Sequence, residues 1–135
     1  MFAAAFKMLS LVPVLYAEPI EPCLPFWTEG LGFEVVVTVP GDSGKLAFAM
    51  LRKDGVEVQY QSRTSLAADA PALVAMPSSV TLYLEVDSLE AVLGRLADAE
   101  IVVPRRRTFY GADEVFVRTP CGHVVGFAQQ ANDAP

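Results

Sequence analysis

One order of elements, strand–helix–strand–strand–strand, is written twice along the 135 residues. A repeat of that kind leaves few folds open. The first copy begins with a strand expected over Leu11–Tyr16. A helix follows over Cys23–Leu31, entered through Glu21-Pro22 and closed by Gly30 and Gly32. Three strands are then expected over Glu34–Val39, Leu46–Leu51 and Val56–Gln61. Their turns are signalled by Pro40-Gly41-Asp42-Ser43-Gly44 and by Asp54-Gly55. The second copy opens with a strand over Val80–Val86. Asp87 is a good N-cap there, and Glu90 three residues on completes a capping box. The helix is expected to reach about Ala99, with Leu89, Val92, Leu93 and Leu96 on one face. Strands follow over Ile101–Val103, Val115–Arg118 and Val124–Ala128. The turn Thr119-Pro120-Cys121-Gly122 corresponds to Arg52-Lys53-Asp54-Gly55 in the first copy. Residues 62–79 are rich in Ala, Ser and Pro, show no strong period and read as a linker.

A single β-α-β-β-β unit would leave an apolar sheet face wet. Two of them, residues 9–61 and 80–129, are therefore expected to form one α+β domain spanning 1–135. It would be a curved mixed sheet with a concave cleft and helices outside. Side chains alternate along a strand, so each strand has one face toward the helices and one toward the cleft. Val56, Val58 and Tyr60 suit the helix side. The inferred cleft lining is Val12, Val14, Tyr16, Glu57, Gln59, Gln61, Thr81, Tyr83, Glu85, Val124, Gly126 and Ala128. Tyr16 and Tyr83 would give it an apolar ring with a hydroxyl, as ligand clefts use. Trp27 and Phe26 read as core. Phe109 and Tyr110, ahead of the last hairpin, suit either a cap over the cleft or a loop anchor.

Composition narrows the partners. A 53% hydrophobic chain can fill a core, and a net charge of −6 with a pI near 4.6 argues against nucleic acid. The short run Arg105-Arg106-Arg107 reads as a solvated loop, with an anion or ligand contact as the sharper alternative. No apolar run approaches the ~20 residues of a membrane span. Pro13 interrupts the apolar stretch near the start, which reads as a first strand rather than a secretion signal. Cys23 and Cys121 are far apart; a lone disulfide is open to them, and two reduced thiols in a cytoplasmic protein is the simpler account. With one histidine, His123, a Cys/His zinc site and a serine triad are both excluded. Gly41-Asp42-Ser43-Gly44 lacks the Lys-Ser/Thr of a phosphate loop. Cys121 shows no neighbour that would activate its thiol. Glu57 and Glu85 are expected to form a polar wall rather than a catalytic carboxylate pair.

Three stretches, in order, resemble the vicinal oxygen chelate superfamily of glyoxalases, bleomycin-resistance proteins and extradiol dioxygenases. They are Phe26-Trp27-Thr28-Glu29-Gly30-Leu31-Gly32-Phe33, Leu84-Glu85-Val86-Asp87-Ser88-Leu89-Glu90-Ala91 and the segment from Tyr110 to His123. The resemblance spans about Leu11 to Gln129. It implies a divalent metal held by His, Glu or Gln at four inward positions, which here fall on Val12, Glu57 or Gln59, Thr81 and Gly126. One plausible donor in four does not hold a catalytic metal. His123 follows the turn, points with Val125 and Phe127 away from the cleft, and reads as a solvated turn residue. The expectation is therefore a metal-free, bleomycin-resistance-like binding protein without a cofactor, a homodimer that sequesters an amphipathic neutral or cationic small molecule. A lyase, isomerase or dioxygenase with an unusual metal-ligand set is the alternative, and a protein-interaction domain the third reading.

Overall fold

The computed structural model of the chain describes residues 5–74 and 80–130. Its strands are β1 (Val14–Ala17), β2 (Glu34–Pro40), β3 (Leu46–Lys53), β4 (Val56–Ser62), β5 (Leu82–Glu85), β6 (Glu100–Arg107), β7 (Ala112–Arg118) and β8 (Val124–Gln130). They form two four-stranded sheets of the same topology, β1-β4-β3-β2 and β5-β8-β7-β6. In each, the first strand of the unit lies parallel to the last and the remaining pairs are antiparallel. This is the α+β pair of β-α-β-β-β units expected from the repeat. The turn between β3 and β4 is the tight Asp54-Gly55 pair, both at positive φ, which matches the twist of the flanking strands.

The first unit's helix is irregular: a 3₁₀ turn at Glu21–Cys23 leads into a π-helical stretch at Phe26–Gly30. It places Phe26 and Trp27 under the first sheet, where the Trp27 Nε1 donates a 2.9 Å hydrogen bond to the Tyr60 hydroxyl. The second unit's helix α2 (Leu89–Arg95; α1 is given below) starts one residue later than the capping box predicts. Ser88, not Asp87, is the N-cap, and its Oγ accepts from the Ala91 N–H. The reason lies in β8: the Gln129 Oε1 accepts from the Leu89 N–H at 2.9 Å and so fixes where the helix begins. One core cluster draws on both units, from Trp27, Phe33, Leu51 and Tyr60 to Leu89, Val117, Val125 and Phe127.

Three further expectations are corrected. The linker contains α1 (Arg63–Asp69), capped by the buried Ser62, whose Oγ accepts from the Ser65 N–H. A two-turn helix that buries only Leu66 is too short to display a period. Arg105–Arg107 belong to β6 rather than to a loop, because carboxylates on the neighbouring strand hold Arg105 and Arg106. Arg105 pairs with Asp113 and with Glu90 of α2, and Arg106 pairs with Glu114. Finally, Cys23 and Cys121 are joined in a disulfide across 98 residues of sequence, with Cα atoms 5.5 Å apart, and are not two free thiols. The bond ties the first unit's helical entry to the β7–β8 turn of the second. The Arg95 Nε, which donates to the Gly30 carbonyl at 2.6 Å, joins the two helices nearby.

Candidate functional site

Strand register places the inferred lining on the sheet faces turned away from the buried helix-side residues. In the first sheet Val14 lies beside Gln59 and Met50, and Tyr16 beside Gln61 and Phe48, while Val58 and Tyr60 are buried on the other side. In the second sheet Tyr83 lies beside Gly126 and Phe116, and Glu85 beside Ala128 and Glu114. Val124 sits opposite Arg118. Val12 and Thr81 lie just before their strands, half-buried and exposed respectively. The structure does not bring Glu57 and Glu85 together. Glu57 is bound within its own sheet by the Arg52 Nε at 2.7 Å and the Gln59 Nε2 at 2.6 Å, which hold its carboxyl below the usual range. Glu85 belongs to the other sheet.

The most structured polar group on these faces is one that the sequence reading passed over. Glu114 on β7 is fully buried. Its Oε1 accepts from the Tyr83 hydroxyl at 2.6 Å and from the Tyr110 hydroxyl at 3.0 Å. Its Oε2 accepts from the Arg106 Nε at 3.0 Å and Nη2 at 2.9 Å. Burial alone would raise its pKa. The hydrogen bonds from Tyr83, Arg106 and Tyr110, with the guanidinium charge, outweigh that and hold the carboxyl below its ordinary value. Tyr83 responds in the other sense: desolvation first, then the neighbouring carboxylate, keeps its phenol protonated to higher pH. Alternation places Glu114 on the face of Phe116 and Gly126, but the adjacent Asp113 leaves open which of the two acids is buried.

The family's metal positions can be tested against this geometry. Gln59 pairs with Val14 as Gly126 pairs with Tyr83, so Gln59 is the counterpart of Gly126 in the first unit. The donor set is then Val12, Gln59, Thr81 and Gly126, with a single side chain of the expected kind, and it does not fit a chelated divalent ion. A Cβ added at Gly126 would stand 2.5 Å from the Phe116 ring, so even the space for the family's last ligand is filled by an aromatic. Among the described residues no three His, Cys, Asp or Glu side chains gather in a way that could hold a metal.

Val14, Tyr16, Thr81 and Val124 do meet, around a groove of about 620 Å³ at the seam between the units, together with Arg63, Cys121 and His123. His123 is not the solvated turn residue expected. Its ring packs edge-on to Tyr60 with centroids 6.0 Å apart, and its Nδ1 is buried without a hydrogen-bond partner. Burial, then the Arg63 charge, lowers its pKa. The turn carries it inward because the Thr119 Oγ1 accepts from the His123 N–H and folds the chain back on the core.

Two β-α-β-β-β units with uncovered sheet faces of aromatics and paired carboxylates define a small α+β protein of the paired-unit class. The chain belongs to the glyoxalase/bleomycin resistance protein/dioxygenase superfamily, whose family model matches residues 11–127. Among solved structures it is similar to a glyoxalase/bleomycin resistance protein/dioxygenase from Nocardioides, with a TM-score of 0.71 at 19% identity over 96% of this chain and 89% of that one. It is similar also to a lactoylglutathione lyase from Agrobacterium tumefaciens (0.68, 17%, 91% and 94%). A third is TnmS3, an antibiotic binding protein from Streptomyces sp. CB03234 (0.61, 20%, 93% and 99%). At such identities the likeness is one of fold. No curated protein matches the sequence.

Proposed function

We propose that the chain is a small-molecule binding protein that works without a metal, holding an amphipathic neutral or cationic ligand against its uncovered sheet faces. The observation that carries this reading is Gly126 beneath the Phe116 ring: where the superfamily's enzymes place their last metal ligand, this chain has built an aromatic surface. Val12 and Thr81 add no strong donor, and the similar antibiotic-binding structure belongs to a protein of that kind of task. The net charge of −6 disfavours anions. Homodimer formation belongs to the same reading, because β2 is an edge strand with Val35, Val36, Val37 and Val39 all exposed; light scattering at micromolar concentration should give twice the chain mass. A cytoplasmic setting belongs to it too. The Cys23–Cys121 disulfide, a bond more usual in oxidising compartments, is the observation against that setting, and thiol titration of the protein purified from cells alkylated at lysis checks it. No helix among the described residues is long and apolar enough to cross a membrane.

The deciding experiment is calorimetric titration with neutral acridone, cationic 9-aminoacridinium and anionic anilinonaphthalene sulfonate. Saturable binding of the neutral or cationic probe is expected, with the anion weakest. A stoichiometric metal found by elemental analysis after incubation with Zn, Ni, Mn and Fe would instead favour the enzyme reading.

A further inference from the structure

We infer that the Tyr83–Glu114–Tyr110 array chooses the ligand, selecting a neutral planar aromatic molecule that carries a hydrogen-bond-accepting oxygen on its rim. The inference rests on the binding reading above and narrows it. Glu114 Oε1 accepts both phenols, one from strand β5 and one from the turn between β6 and β7. A single buried oxygen thus sets the spacing between a strand ring and a loop ring. Tyrosines usually stay at a surface because the hydroxyl needs water. Here both hydroxyls are satisfied internally, yet Tyr83 is 42% and Tyr110 53% exposed. Phe109, 99% exposed, packs edge-on to Tyr110 with centroids 5.0 Å apart and extends the same wall. Phe116 lies beside Tyr83 at 5.9 Å, tilted 36°. Planar rings are the complement of such a wall.

The polarity follows from Arg106. Its Nε and Nη2 are given to Glu114 Oε2, and its Nη1 has no partner among the described residues, although the side chain is half-exposed. A guanidinium already neutralised by a carboxylate offers N–H donors at a fixed angle with little net charge. That arrangement favours a carbonyl or similar neutral oxygen at Arg106, while Glu85, exposed beyond Ala128 on the same face, is the carboxylate that a cation would have to reach instead. Glu114 is a positioning residue: it holds two rings and one guanidinium and leaves the contact with ligand to them.

Fluorescence titration with acridone and 9-aminoacridinium, which share a tricyclic frame, tests this. The wild-type protein should favour acridone by about tenfold. Tyr110→Leu, in an exposed turn, should weaken acridone about tenfold. Arg106→Lys keeps the charge beside Glu114 but loses the planar fork, and should erase the preference for acridone. Glu114→Gln should weaken acridone and also bring tyrosine ionisation to lower pH, seen as an earlier rise of phenolate absorbance, which a change confined to packing would not produce. Acridone binding at wild-type strength in both Tyr110→Leu and Arg106→Lys would overturn the inference and leave the binding reading standing. A wild-type preference for 9-aminoacridinium would overturn the assigned polarity. If neither probe binds the wild-type protein, both readings fail.

Discussion

Glu114 is buried and His123 is half-buried with its Nδ1 out of reach of water, and acid destabilises the fold through each of them. The Glu114 carboxyl is held below its ordinary 4.5, so its contribution is complete above that value and lost as pH falls through the folded-state value. His123 is held below 6.5 by burial, so as pH drops below 6.5 the unfolded chain takes up the proton first and stability declines before the Glu114 carboxylate titrates. Urea midpoints should therefore fall in two stages on acidification. His123→Phe keeps the edge-on contact with Tyr60 and removes the buried, unpartnered Nδ1, so it should abolish the upper stage only. At Gly126 the expected outcome is steric. Gly126→Glu restores the family's residue type but drives a Cβ into the Phe116 ring, which should cost about 1–3 kcal/mol of stability, and pairing it with Phe116→Ala should recover part of that loss. Neither variant should acquire stoichiometric zinc, since Val12 and Thr81 lack a coordinating group of the family's kind.

The elements show how local signals are arbitrated by neighbours. Asp87 and Ser88 are both competent N-caps, and only the Gln129 side chain arriving from β8 decides between them. Ser88→Ala should accordingly lower stability by about 1 kcal/mol, while Asp87→Ala should stay within experimental error of the wild type. Thermal melts of the two variants side by side check this, and equal losses would return the cap to Asp87. The long β6 follows the same logic. Three consecutive arginines carry little strand preference, but Asp113 and Glu114 on the antiparallel partner supply ion pairs on both faces, and the strand continues to Arg107.

Across the whole molecule, the Cys23–Cys121 bond closes a loop of 98 residues and ties one unit to the other. In the chain-entropy account such a closure restrains the unfolded chain by up to about 4.7 kcal/mol. Cys23→Ala with Cys121→Ala, or reduction by a dithiol, should lower the unfolding free energy read from urea titration by an amount approaching that figure, whereas an unchanged midpoint would mean the thiols are not joined in solution. The two units also share their core, so the reduced protein should still unfold in one transition, with Trp27 and the second-unit helix reporting together.

The paired β-α-β-β-β order and the two sheet faces were legible in the sequence. Alternation and turn chemistry are local, and the repeat supplies its own check. The helix-side placement of Val58 and Tyr60 follows directly from period two. What only the tertiary structure decided are the relations between distant segments: the Cys23–Cys121 bond, the burial of His123 against Tyr60, and the convergence of Tyr83, Tyr110 and Arg106 on Glu114. In the sequence Glu114 is one acidic residue beside another, Asp113, and nothing local says which of the two is buried. Burial of a carboxylate is tolerable only where several donors meet it at once, and strand pairing between β5, β6, β7 and β8 is what brings those donors to one point.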